Sequence, residues 1–228
     1  LFRDQLIGNR QIPVSDYAAT LDDYGTVSGQ VFSIGEKPNI AIENPEASCR
    51  MALAEAITNI SGVKHDALNK ISFSANWMSS TKTADEKGDL LRGVQALANM
   101  ADSLNVSVPV GKDSLSMETN WGKNKNTSPE SLIVSAFSPI KDITKSITPM
   151  LSNSEDLVLV RINFGSSEMR LGGSILSQVI NSDFKSSPDI EEMDKFPKVF
   201  DKICELINKK KILFVWVFLE TGRILIYH

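Results

Sequence analysis

Hydrophobic and polar residues alternate with period two over residues 30–34, 39–42, 70–77, 105–110 and 132–137. Alternation of that kind sends one face of an extended chain into a core and the other to solvent, so each run predicts a strand. Two stretches instead repeat near 3.6 residues. In "NPEASCRMALAEAITNISG", Asn44 is placed to cap a helix and Pro45 to open it. Leu53, Ile57 and Ile60 share one face, and Gly62 ends the helix. A second helix is predicted from about Lys87 to Leu104, burying Leu90, Leu91, Val94, Leu97, Ala101 and Leu104. A polar, proline-containing stretch at 148–156 then separates two apolar segments. It divides the chain into a first domain, 1–150, and a second, 151–228. The second domain is expected to hold a strand at 157–163, helices at about 174–180 and 196–210, and a terminal hairpin turning at Glu220-Thr221-Gly222. The sum is an α+β protein: a mixed or antiparallel sheet with helices on one face, followed by an incomplete α/β domain.

Composition narrows the chemistry. The 228 residues carry a net charge of −4 with no basic stripe, which argues against nucleic acid as the main partner. The one lysine cluster, Lys209-Lys210-Lys211, falls where a helix should end and complements its dipole. No apolar run suits a membrane span, and the start carries no signal-peptide pattern. Cys49 and Cys204 are too few for a disulfide framework and point to a reducing cytosol. With only His65 and His228 present, a His/Cys zinc site is excluded. Any metal should be a hard cation on oxygen ligands. The chain opens "LFRDQLIGNR" without a methionine and is expected to be a piece of something longer.

Three places could carry chemistry. "VPVGKDSLSM", residues 108–117, resembles a phosphate loop but lacks its spacing: Val106 stands where the first glycine should be, and Asp113 where Ser or Thr should. From the residues alone it is a strand followed by a polar turn, with Lys112 and Asp113 available to phosphate and metal or paired with each other. On the first helix, Glu55 and Asn59 stack four apart, and the same stripe runs back through the small Ala52 and Ser48. It reads either as a solvated helix face or as two oxygen donors, with room above them, for magnesium or a metal–phosphate complex. In "IPVSDYAAT", Asp16 closes a short apolar run, either as a turn residue or as a carboxylate reaching a metal at the sheet edge. Cys49 has no accompanying histidine motif and reads as a small packed hydrophobe rather than a nucleophile.

Taken in order, "QIPVSDYAATLDDY…SGQVFSIGEKP", "EASCRMALAEAITNI", "ISFSANWMSS" and "VPVGKDSLSM" resemble phosphoribosylformylglycinamidine synthase, the glutamine-dependent ligase of purine synthesis, in its long single-chain form. The resemblance runs from about Asp4 to at least Gln178 and covers a minor part of that family's length. It falls on the second of two related ATPase-like halves. It implies a fold like the N-terminal domain of aminoimidazole ribonucleotide synthetase, and a cytosolic enzyme using ATP and Mg2+. Carried over residue by residue, it implies magnesium on Asp16, Glu55 and Asn59, a nucleotide contact at Ser15, and positive charge from Lys112 near phosphate. The implied reaction turns the amide of formylglycinamide ribonucleotide into an amidine. ATP activates the amide oxygen, and ammonia from a glutaminase domain absent here displaces phosphate.

One departure stands out. After "NKKKIL" the family continues to a loop of H-D-x-S-D-G-G type that supplies another metal-binding aspartate, whereas this chain reads "FVWVFLETGRILIYH" and contains no D-G-G. The expected metal site is therefore incomplete and the isolated chain is expected to be inactive. The alternative is a non-catalytic remnant that binds magnesium-nucleotide weakly or only packs against a partner.

Overall fold

The computed structural model describes residues 16–147, 158–164, 170–182 and 184–212, together with the backbone alone of 6–7, 12–13, 214–218 and 223–227. Two short segments, β1 (Leu6–Ile7) and β2 (Ile12–Pro13), pair antiparallel. The main sheet is built from β3 (Tyr17–Leu21), β4 (Gly29–Glu36), β5 (Ser72–Met78), β6 (Ser107–Ser114) and β9 (Ser131–Ile140), in the order β3-β4-β9-β5-β6. Every neighbouring pair is antiparallel except β5 with β6. Those two are joined through α3 (Ala84–Ser103), because parallel neighbours require a crossover. Val31, Ser33 and Gly35 of β4 and Leu132, Val134 and Ala136 of β9 face inward, against α2 (Pro45–Ile60). The opposite face carries Phe32 edge-on to Phe137, with Ile34 and Val110 exposed.

The reason α2 sits at the centre is its composition. Its unburied positions are Glu46, Arg50, Glu55 and Asn59; the other twelve are buried. Asn44 caps it through Oδ1, which accepts from the Ala47 N–H at 2.9 Å, and Pro45 opens it. α3 packs beside it and begins at Ala84, earlier than the apolar stripe suggests. The Thr83 hydroxyl and the Glu86 carboxylate satisfy each other's backbone N–H groups in a capping box. Its buried face is Gly93, Ala96, Leu97, Met100 and Ala101, while Leu91 and Val94 are exposed. Leu97, Ala101 and Leu104 of the expected stripe are buried and Leu90 packs against the core, so only Leu91 and Val94 fall outside it. Contact with α2 runs over Gly93, where a Cβ would lie 2.2 Å from Glu130 Oε1, so small residues rather than large ones mark the interface.

Other expectations are corrected. Residues 39–42 form no strand: α1 (Pro38–Ala41) is one helical turn, opened by Pro38, that buries Ile40 and Ala41. Four residues are too few for periodicity to decide. The strand expected at 105–110 runs from Ser107 to Ser114, so Gly111 to Ser114 are not a polar turn. They are polar because β6 is an edge strand, exposed along most of its length. A hairpin of β7 (Glu118–Trp121) and β8 (Asn124–Thr127) follows, turning at Gly122, whose φ of 58° is left-handed. Asp16 does not close a strand but stands immediately before β3.

Beyond the main sheet come β10 (Leu159–Asn163), α4 (Ile175–Val179), α5 (Phe196–Asn208), β11 (Phe214–Phe218) and β12 (Arg223–Tyr227). β11 and β12 pair antiparallel as the hairpin pattern suggests, and β10 joins them in the order β10-β12-β11. The turn at 220–222 and the polar stretch at 148–156 lie outside the described residues. α5 turns Phe196, Phe200, Ile203, Cys204 and Ile207 inward. Phe196 stacks on Phe164 at 4.4 Å, and Phe200 meets the His65 ring at 5.4 Å, so one buried cluster runs from the sheet into α5.

Candidate functional site

Strand β4 is longer than its neighbour β3. β3 covers β4 only from Gly29 to Ser33, and residues 34–36 run on past it. Their backbone groups on that side need other partners, and the polar stripe of α2 provides them. Asn59 Nδ2 donates to Ile34 O at 2.9 Å, and the Glu36 N–H donates to Glu55 Oε2 at 2.7 Å. Glu55 Oε1 is paired with Lys37 Nζ at 3.0 Å, both side chains being largely shielded. Further back along the stripe, the Ser48 hydroxyl donates to Lys37 O at 2.6 Å.

The smallness of Ser48 and Ala52 now has a cause different from the expected one. The space above them is filled by the end of β4. A Cβ on Gly35 would lie 2.1 Å from Ala52 O and 2.5 Å from Ala56 N, so strand and helix backbones touch directly. The donors Glu55 and Asn59 lie at the rim of this contact.

Of the expected site residues, Glu55 and Asn59 meet at the end of β4, and the register sets Asp16 next to that end. Tyr17 pairs with Ser33, which puts half-buried Asp16 one step on, beside Ile34, whose carbonyl Asn59 holds. Asp16 thus stands in the chain beside the strand end that Glu55 and Asn59 hold. Ser15 lies outside the described residues. Lys112 lies apart from them. It shares a cross-sheet row with Asn76, Ile133 and Glu36, three strands from Glu36, or about 14 Å at ~4.8 Å per strand. Its Nζ is exposed and donates to Ser114 Oγ at 3.0 Å rather than pairing with Asp113.

The donor set suits a hard cation: two carboxylates and one amide oxygen, with Asn59 Nδ2 committed to Ile34 so that Oδ1 is the atom left for a ligand. The half-buried Glu55 carboxylate has the Lys37 ammonium beside it, so its charge is balanced within the fold. Among the described residues no group of three His, Cys, Asp or Glu side chains is arranged to hold a metal.

Two groups are removed from the chemistry. Burial raises the Cys49 thiol far above its ordinary value, and the Glu130 carboxyl accepting from it at 3.5 Å adds to the shift. Such a thiol is not a nucleophile. His65 is buried and held down to about 4 by desolvation. Its Nε2 donates to Ile60 O at 2.8 Å and its Nδ1 accepts from Ser138 Oγ at 3.0 Å, so it is a neutral core imidazole.

Sequence reasoning missed Lys37 and the Glu130–Cys49 pair. Lys37 had a readable signal: in "GEKP" it follows a strand and precedes a proline, where a chain turns. Glu130 had none, since a lone glutamate in "SPESLIV" looks like an ordinary strand entrance.

Several solved structures share this fold. Thermotoga maritima PurL complexed with FGAR superposes with a TM-score of 0.64 at 12% identity, over 89% of this chain and 30% of that one. The same protein complexed with ATP gives 0.59 at 13% identity, over 93% and 34%. PurLQS from Thermotoga maritima gives 0.53 at 15% identity, over 93% and 34%. The chain therefore spans about a third of the length of the structures it matches. At these identities the likeness is one of fold, and it agrees with the mixed five-stranded sheet backed by α2 and α3. A family model described as the FGAR-AT PurM_N-like domain matches residues 1–139, which contain that whole sheet apart from the last residue of β9, both helices, and Asp16, Glu55 and Asn59. With more than half of the 228 residues matched, the chain belongs to the FGAR-AT PurM_N-like domain family.

Proposed function

We propose that the chain is part of an ATP-consuming ligase that converts formylglycinamide ribonucleotide to formylglycinamidine ribonucleotide in the cytosol. Glutamine, acting through a separate glutaminase domain, is the ammonia source in this reading. The observation that carries it is the match of residues 1–139 to this family, with Glu55 and Asn59 held at the end of β4 and Asp16 next to that end in the register. Structures of T. maritima PurL with FGAR and with ATP support the choice of substrates.

In this proposal Asp16, Glu55 and the Oδ1 of Asn59 hold magnesium, and Ser15 and Lys112 contact the nucleotide. The ion would neutralise charge on a transferring phosphoryl group. The chain's own contribution is positional. α2 is fixed by burial on almost every side, and the Ile34 and Glu36 hydrogen bonds fix Asn59 and Glu55 against β4. The ligands are therefore oriented before any ion arrives, which lowers the ordering cost of binding. Lys112, on an exposed edge strand across the sheet, suits the distal end of an extended polyphosphate better than the ion itself.

A second reading, a nucleotide site with no turnover, is favoured by one observation: both Glu55 oxygens already have partners within the fold. Magnesium titration in the presence of ATP or ADP, followed by calorimetry and thermal melting, tests the site. Binding should stabilise the folded chain, and Glu55→Gln and Asn59→Ala should weaken it. Equal affinity in all three proteins refutes the site. Release of phosphate from bound ATP distinguishes the two readings.

A further inference from the structure

The Lys37–Glu55 pair has a feature the site's chemistry does not require. Lys37 is held by its backbone as well as by its side chain: its carbonyl accepts from Ser48 Oγ at 2.6 Å, while its ammonium lies 3.0 Å from Glu55 Oε1. The backbone contact anchors the residue to α2 whether or not the side chain stays where it is. Beyond Lys37 opens a cavity of about 220 Å³, lined by Glu36, Asn39, Gly172, Gly173 and Ser174. A displaced ammonium could turn into that space without moving β4 or α1. The other oxygen of Glu55 accepts from the Glu36 N–H, so Oε1 is the oxygen at which an incoming cation meets the lysine.

We infer that Lys37 is a positioning residue that serves as an internal counter-ion for Glu55: it holds the carboxylate in place without metal and competes with a divalent cation for Oε1. This rests on the proposal that Glu55 is a metal ligand. Two consequences follow from the geometry. Metal affinity is set below what the oxygen donors alone would give, because each binding event must first break an ion pair shielded from solvent. Metal binding also releases a positive charge into the cavity beside Gly172–Ser174.

The test uses Mn2+ as the probe, with free ion counted by electron paramagnetic resonance, on the whole chain. Lys37→Met keeps the aliphatic stem and removes the charge; Lys37→Gln is the second neutral variant should the first fold poorly, and Lys37→Arg keeps the charge. Removal of the competitor should tighten Mn2+ binding about two- to fivefold in the neutral variants, the range an ion pair of this kind supports. Lys37→Arg should stay within about twofold of wild type. In a Glu55→Gln background, Lys37→Met should no longer tighten binding. A merely structural lysine would lower the melting temperature without raising Mn2+ affinity. Neutral variants that bind Mn2+ as wild type does, or more weakly, overturn the inference while leaving the metal site standing. Absence of Mn2+ binding in every protein overturns both.

Discussion

Glu130 provides the sharpest test of the packing between α2 and α3. Its side chain is 6% exposed, wedged against Gly93 of α3 and Cys49 of α2, and its Oε2 has no hydrogen-bond partner. Burial, with smaller contributions from Asp89 and Glu46, raises its carboxyl from 4.5 to about 7; the Cys49 contact and Arg92 oppose the shift. Arg92 is itself shared with Glu46 and Asp89. A folded-state pKa above the unfolded one means that the folded protein keeps a proton the unfolded chain releases. Its stabilising effect is complete below pH 4.5 and is lost as pH rises to about 7. At ~1.4 kcal/mol per unit the loss has a ceiling of roughly 3 kcal/mol, and water reaching the ionised group brings the expected value to ~1–3 kcal/mol. Glu130→Gln keeps the shape and the acceptor for Cys49 and removes the titration. Urea unfolding at pH 5, 6.5 and 8 should show wild type losing ~1–3 kcal/mol relative to the variant, so that the Glu130→Gln protein is the more stable of the two at pH 8. Parallel pH profiles for the two proteins would mean that the carboxyl ionises freely and that its burial is not enforced by the fold.

Further expectations follow from other contacts. His65 should titrate near 4 in its ring proton resonances; as pH falls below the ordinary 6.5 toward 4 its stabilising effect is lost, and a midpoint at 6–7 would mean the ring is solvated. Arg50→Ala should cost ~1–3 kcal/mol, because it leaves Asp189 without a fork that now makes hydrogen bonds of 2.8 and 2.6 Å; a double-mutant cycle with Asp189→Ala showing no coupling refutes that. Gly35→Ala should destabilise by more than ~2 kcal/mol, while Gly111→Ala, meeting only Ala75 O at 3.6 Å, should change stability by less than ~0.5 kcal/mol. Comparable losses at the two glycines, read as urea midpoints, would contradict the stated strand–helix contact.

How much of this can be read in advance depends on whether a signal is local. The capped, sixteen-residue α2 is legible from Asn44 and Pro45, and α5 from its apolar period, because caps and stripes are written within a few residues. The sheet is legible as strands but not as an order, since β9 lying between β4 and β5 joins residues about a hundred positions apart. Edge strand β6 resembles a turn because an exposed strand need not alternate. α1 resembles a strand because one helical turn leaves no period to count. Large residues suggest one buried face for α3, whereas the contact with α2 is made over Gly93 and Ala96.

At the site the same limit acts more selectively. Asp16, Glu55 and Asn59 are nominated from motif and resemblance, and the register sets Asp16 next to the strand end that the other two hold. The surroundings of the helix pair cannot be read, because they are made by residues 34–37 crossing over α2. Glu55 and Asn59 terminate a strand whose neighbour has ended, which holds the pair in place. In the proposed function the same two residues would also present oxygen to a ligand. Loss of binding in Asn59→Ala is therefore not in itself proof of a ligand role, since the variant strands the Ile34 carbonyl as well. The hydrogen bond costs about 0.5–1.5 kcal/mol and can be measured as stability without any ligand present. Only an affinity loss beyond that belongs to the oxygen.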